Sequence, residues 1–221
     1  MNTLDIQLHL GSLKLEVRAE LAANIIVISG ENGAGKTTLL RCLAGLQYCH
    51  GQLHVDGDVW LDSAAKFVLP VAKRAIGFVW NDAVLLPWLD AKSNIQLGVA
   101  HDDAAWLDKV CDGLEVSHLL KRSPAMLSTG EAQRIALARA IYKKPKLLLL
   151  DEPFSAQAPD IRVRLRQALK VLQQTLNIPM LMVSHDADDA KILAHQHWRM
   201  REGKLMTSVS STELLAADEH R

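Results

Sequence analysis

The chain has little that would carry it out of a cell or into a membrane. No stretch of its 221 residues approaches the roughly 20 consecutive apolar positions that a membrane-crossing helix needs, although 49% of the sequence is hydrophobic. Met1 to Leu10 mixes Asp5, Gln7 and His9 with apolar positions, and no basic segment leads into an apolar one, so no secretory leader is expected. Cysteine is scarce. Cys42, Cys49 and Cys111 are odd in number and show neither a CxxC pair nor zinc spacing, which fits small buried residues in a reducing compartment. Net charge is absent, 25 Lys+Arg against 25 Asp+Glu, so no chain-wide basic field is available to grip nucleic acid, and none is expected as a partner. No repeat, low-complexity tract or Pro/Ser linker divides the chain. The expectation is a cytosolic protein able to bury a sizeable core, as one domain or one domain with a large insert.

Hydrophobic periodicity is present and changes along the chain. Leu4, Ile6, Leu8 and Leu10 alternate with polar residues, as do Leu13, Leu15 and Val17, which reads as two half-buried strands. Ile25-Ile26-Val27-Ile28 is an unbroken β-branched run, the pattern of a parallel strand covered on both faces. From about Asn81 to Ala125 the texture shifts: Pro87 and Pro124 break it, and short helices are predicted near Ser93–Leu97 and Asp102–Cys111. A helix over Glu131–Tyr142 and the apolar strand Leu147–Leu150 follow. A long helix then places Ile161, Leu165, Leu169, Leu172 and Leu176 on one stripe. Pro179–Val183 reads as another buried strand, and Ser210 with Glu213 is spaced as a capping box for a last helix over Ser210–Ala216. The pattern predicts an α/β fold over residues 1–221 with a mostly parallel sheet and an α-helical subdomain inserted at about 82–142.

Chemistry enters at Gly30-Glu31-Asn32-Gly33-Ala34-Gly35-Lys36-Thr37, followed by Thr38. The run fits the phosphate-binding loop G-x-x-x-x-G-K-[ST] and stands where that loop must stand, after a buried strand and before a helix. Glycines let the backbone curl so that successive N–H groups face phosphate oxygens, and the helix N-terminus adds partial positive charge. Lys36 is expected on the β- and γ-phosphates of ATP, and Thr37 on Mg²⁺. Leu147–Leu150 ends in Asp151-Glu152, two carboxylates at the carboxyl end of a strand, where ligands of open α/β sheets bind. Adjacent buried carboxylates are costly without a cation, so the pair argues for metal. Asp151 is expected to orient Mg²⁺ or its water, and Glu152 to act as general base.

Between these motifs stands Leu127-Ser128-Thr129-Gly130-Glu131, with Ala132-Gln133-Arg134 and Ala138-Arg139-Ala140 behind it; Val183-Ser184-His185-Asp186 and Gly77-Phe78-Val79-Trp80-Asn81-Asp82 flank the acidic strand. In order and content these resemble the signature motif, switch-histidine segment and Q-loop of ABC transporter ATPases, over about residues 4 to 206. The resemblance implies a P-loop NTPase core with an N-terminal antiparallel β part, and two such domains meeting head to tail, with ATP on one phosphate loop covered by Ser128 and Gly130 of the other. It also implies His185 at the γ-phosphate, Asn81 toward Mg²⁺ or water, and a separate integral membrane permease as partner, the chain lying on the inner face of the membrane.

Against the family pattern, Asn81 is one methylene shorter than glutamine, Thr129 replaces the first signature glycine, and Ser155-Ala156-Gln157-Ala158 lacks the aspartate of S-A-L-D. No aromatic precedes Gly30 to stack on adenine, which leaves His9 as the candidate. Leu21–Asn24, Asp82–Pro87 and Asn177–Met180 resemble the ATPases of molybdate-type oxyanion importers, whose C-terminal regulatory domain is not matched before Arg221. That short form resembles thiamine-type importers instead. Trp80, Leu85, Leu86, Trp88 and Leu89 supply apolar bulk for docking on a permease or for packing within the helical subdomain. The rival readings are another small-solute importer, a non-transport ABC ATPase, and a weakly active nucleotide-binding regulatory module.

Overall fold

The computed structural model describes residues 2–210. In chain order its elements are β1 (Thr3–Leu10), β2 (Leu13–Glu20), β3 (Ile25–Ser29), α1 (Lys36–Ala44), β4 (His50–Val55), β5 (Asp58–Asp62), β6 (Phe67–Val68) and β7 (Ile76–Val79). Then come α2 (Ala91–Ile95), α3 (Ala104–Gly113), α4 (Thr129–Tyr142), β8 (Leu147–Asp151), α5 (Pro159–Leu176), β9 (Met180–Val183), α6 (Ala187–Leu193), β10 (Gln196–Arg201) and β11 (Lys204–Ser210). The final predicted helix lies, beyond Ser210, outside the described residues.

Among the described residues one sheet runs β6-β5-β4-β1-β2-β11-β10-β3-β9-β8-β7. Its β10-β3-β9-β8-β7 half is parallel throughout, and β6-β5-β4-β1-β2 is antiparallel throughout. The apolar runs of the central strands follow from this. Ile25 and Val27 of β3, Leu148 and Leu150 of β8, and Met180 and Met182 of β9 enter a core with α3, α4 and α5, while Ile26, Ile28, Leu147, Leu149, Leu181 and Val183 enter a second core around α1. With both faces covered, alternation loses its polar half. The α/β class, the parallel core, the N-terminal antiparallel strands and the helical insertion between β7 and β8 are as expected.

Boundaries moved where caps decide them. Asp90 accepts a hydrogen bond from Ser93 N and starts α2 before Ser93; Asp103 likewise caps α3 through Trp106 N. Helix α4 starts at Thr129, because Ser128 and Glu131 form a reciprocal capping box: Ser128 Oγ accepts from Glu131 N, and the Glu131 carboxylate accepts from Ser128 N. The hairpins of β4, β5 and β6 were not legible as strands, since their burial does not alternate cleanly. Cys42, Cys49 and Cys111 are free and buried.

Candidate active site

The loop from Gly30 to Gly35 joins β3, between β10 and β9 in the parallel half, to α1. Two glycines are forced. A Cβ on Gly30 would sit 2.2 Å from the Met200 carbonyl oxygen, and Gly35 caps α1 at φ +96°, a left-handed conformation that costs other residues energy. No side chain caps α1 and no acidic residue stands in its first turn, so its first N–H groups are left facing the loop, a ready anion site. Lys36 is buried, and its Nζ donates to the carbonyls of Gly30 (2.7 Å) and Glu31 (2.9 Å). Burial lowers its pKa, opposed by Glu152 and Asp151. Ala34 is a structural member of the loop: its N–H donates to the Glu31 carbonyl and its own carbonyl accepts from Gly203 N.

Strand β8 delivers the carboxylates. Thr37 Oγ1 donates to Asp151, 3.0 Å from Oδ2 and 3.2 Å from Oδ1. Burial pushes the Asp151 carboxyl above its usual range, opposed by the Thr37 hydrogen bond and by the charges of Arg41, Lys36 and His185. A hydroxyl and a carboxylate are hard oxygen donors. They fit Mg²⁺, which takes one or two protein oxygens and leaves its other positions to water and phosphate. Among the described residues no cluster of three or more His, Cys, Asp or Glu offers a complete protein cage for a metal.

Glu152 adopts φ +50°, a conformation uncommon outside glycine. Two bonds hold it there: Glu152 N donates to the Val183 carbonyl at 3.0 Å, and Gln133 Nε2 donates to the Glu152 carbonyl at 3.0 Å. The carboxylate Oε1 lies 3.3 Å from His185 Nε2. A cavity of about 260 Å³ is lined by Asn32, Gly33, Gly35, Lys36, Thr37, Thr38, Glu152 and His185, among others. His9, exposed on β1 opposite Lys14, does not line it.

Neither do the remaining candidates. Asn81 is exposed, and its Oδ1 accepts from Ser155 Oγ at 3.2 Å, which ties it to the loop after Glu152. Ser128 and Gly130 form the N-terminal turn of α4, away from that cavity. Ala158 proves to be the N-cap residue of α5, with no side-chain acceptor to offer. Ala158→Asp is expected to supply that cap, adding about 1 kcal/mol and raising the melting temperature by about 2–4 °C. A thermal melt checks it.

Sequence reasoning passed over three groups. Beside His185, Ser184 Oγ donates to Asp189, whose other oxygen lies 2.6 Å from Arg166 Nε; Arg166 and Arg162 both reach Asp186. This charged lattice fixes the switch segment against α5. Asn94, fully buried, accepts from Leu86 N and donates to the carbonyls of Leu86, Leu89 and Asp90. It holds the turn that leaves Trp88 74% exposed, while Leu85 packs against the core and Trp80 lies under the Arg41 guanidinium. The third group is Gln133 with Gln157. Only their hydrophilic identity was visible beforehand; burial is what gives them meaning.

Fold and site together define an ABC-type ATPase. The family model described as ABC transporter matches residues 13–155, and the chain belongs to that family. It is 40% identical over 220 residues to the molybdenum import ATP-binding protein ModC of Albidiferax ferrireducens, covering 96% of this chain and 59% of that protein. It is 38% identical over 198 residues to ModC 1 of Azotobacter vinelandii, covering 87% and 55%. The chain thus spans less than two thirds of the length of these curated relatives. Among solved structures, cbiO1 from Clostridium perfringens, part of the ABC transporter complex cbiONQ, superposes with a TM-score of 0.81 at 22% identity, covering 99% of this chain and 91% of that one. The dimeric post-hydrolysis state of the ATP-binding cassette MJ0796, bound to ADP and Pi, gives 0.78 at 21%, covering 95% and 98%.

Proposed function

We propose that the chain binds and hydrolyses Mg-ATP as one half of a head-to-tail pair and powers import through a separate membrane permease, the cargo being an oxyanion of the molybdate type. One observation carries the reading. Lys36, Thr37, Glu152 and His185 surround a single cavity at the N-terminus of α1, with Asp151 on Thr37, while the Ser128–Gly130 turn lies elsewhere on the surface. A site complete on the catalytic side and open on the other asks for a second copy.

In the proposed reaction the loop N–H groups and Lys36 hold the phosphates, and Lys36 exchanges the Gly30 and Glu31 carbonyls for phosphate oxygens. Magnesium, when bound by Thr37 and Asp151, supplies charge neutralisation at the β- and γ-phosphates. Glu152 takes a proton from the attacking water as its oxygen bonds to the γ-phosphorus and the bond to ADP breaks; His185, beside Glu152, faces the transferred group. Ser128 and Gly130 of the second copy close the site. The surface around Trp88 and Val84, at 74% and 56% exposure, supports docking on the permease. No helix among the described residues is long and apolar enough to cross a membrane. In this reading the permease is a separate chain and the ATPase lies on its inner face. The molybdate assignment draws on the names of the relatives.

Co-expression with a molybdate-type permease tests the whole reading: the two should purify together, and in vesicles ATP turnover should rise when molybdate is offered with its binding protein. Failure to co-purify would remove the transport assignment; stimulation by another solute alone would remove the cargo. Slow basal hydrolysis is expected because Asn81 is short and Ala158 carries no carboxylate. Asn81→Gln with Ala158→Asp should raise steady-state turnover at nearly constant ATP affinity, and a flat or lower rate would contradict it.

A further inference from the structure

The loop after Glu152 is fastened to the start of α4 by two buried glutamines. Gln133, 1% exposed, uses both ends of its carboxamide. Nε2 donates to the Glu152 carbonyl (3.0 Å) and to Ser155 Oγ (3.1 Å), and Oε1 accepts from Ala156 N (3.3 Å) and from Gln157 Nε2 (3.1 Å). Gln157, 6% exposed, also donates to the Gly130 carbonyl at 3.0 Å. Ser155 Oγ passes the chain on to Asn81 Oδ1 at 3.2 Å. An unbroken run of hydrogen bonds therefore leads from Asn81 and the backbone of Glu152 to the turn at Gly130.

The two ends also touch. A Cβ on Gly130 would lie 2.9 Å from the Ala156 carbonyl oxygen and 3.3 Å from the Gln157 carboxamide, so the turn and the loop are already in closest packing. Both donors of the Gln157 amide are spent on this junction, and both acceptors belong to α4. An apolar residue of equal size at 157 would fill the space and leave the Gly130 carbonyl without that partner. A movement of the Glu152 backbone is thereby transmitted to Gly130, and the reverse.

We propose that Gln157 is a positioning residue for hydrolysis: through Gly130 it holds the turn that completes the partner's nucleotide site in register with the general base of its own site. This rests on the head-to-tail pair proposed above. The loss of one donor bond at each end loosens the turn without touching the phosphate loop, since neither Gln157 nor Gly130 lines the phosphate cavity.

The test compares Gln157→Leu, which keeps the bulk and removes both donors, with Gln157→Glu, which keeps the shape and replaces donors by acceptors. Each is made alone for turnover and in the Glu152→Gln background for ATP-dependent dimerisation, with melting temperature and the ATP affinity of the monomer measured in parallel. Expected are a kcat lower on the order of 10- to 100-fold, a weaker ATP-dependent dimer, and monomer ATP affinity within about 3-fold of the parent. A residue that only stabilised the fold would shift the melt and leave dimerisation of the folded monomer unchanged. If Leu fails to fold, the Glu variant still decides the matter. Parental turnover and dimerisation in the folded variants would overturn the role of Gln157 and leave the pair standing; a Glu152→Gln protein that stays monomeric with ATP would overturn both.

Discussion

Glu152→Gln is expected to slow steady-state hydrolysis 10²- to 10⁴-fold while ATP remains bound, and to trap the protein as an ATP-dependent dimer. The substitution keeps the side chain's shape. Its backbone stays in the left-handed region, because the bonds from Glu152 N to the Val183 carbonyl and from Gln133 Nε2 to the Glu152 carbonyl use only the main-chain atoms of residue 152. What is lost is the carboxylate proposed as the acceptor of the water's proton, which faces His185 at 3.3 Å. The loop, Lys36 and Thr37 are untouched, so affinity should hold. Turnover and size-exclusion measurements, with and without Mg-ATP, check both halves. Unaffected hydrolysis together with a monomer in ATP would remove the general base and the pair at once.

Lys36→Ala is expected to act at the earlier step, lowering ATP affinity roughly 100-fold, the equivalent of one or two charge-assisted hydrogen bonds, and abolishing measurable turnover. The ammonium is the buried cation nearest the loop and is opposed in its desolvation by Asp151 and Glu152. Removing it leaves those carboxylates facing incoming phosphate uncompensated. The sign of the pH dependence follows. Burial lowers the Lys36 pKa in the free protein and bound phosphate would raise it. Affinity is therefore full at pH below the free-state value and falls as pH rises through it toward the bound-state value. Titration of ATP binding against pH, wild type beside Lys36→Ala, should show that fall only in the wild type. Unchanged binding and turnover in the variant would remove the phosphate-loop assignment.

Much of this site was legible in the sequence because its pieces are local. A loop that must cradle phosphate needs glycine at fixed offsets, and Gly30 and Gly35 stand where the backbone meets Met200 or turns left-handed. The run Leu147–Leu150 could only be a strand covered on both faces, which put Asp151 and Glu152 at its carboxyl end. Asn81 was legible as a departure, but its attachment to Ser155 was not. The cap at Ser128 is in plain view as Ser-x-x-Glu, within the segment that resembles the signature motif. Ala158 stands where the family pattern has an aspartate, and the structure makes it a missing helix cap as well.

By itself the sequence determined the class of fold, the order of the motifs and the identities of the groups proposed to meet phosphate, since each depends on residues within a turn or a strand of one another. Only the tertiary structure decided how those groups are held. The left-handed Glu152, the arginine lattice behind His185, and the Gln133–Gln157 junction all join segments about 20 or more residues apart in the chain, and the burial of Asn94 beneath the Trp88 turn depends on the packing around it. A polar side chain reads alike in sequence whether water or a buried carbonyl is its partner. The choice between them is made by burial, which exists only once the sheet and helices have closed over it.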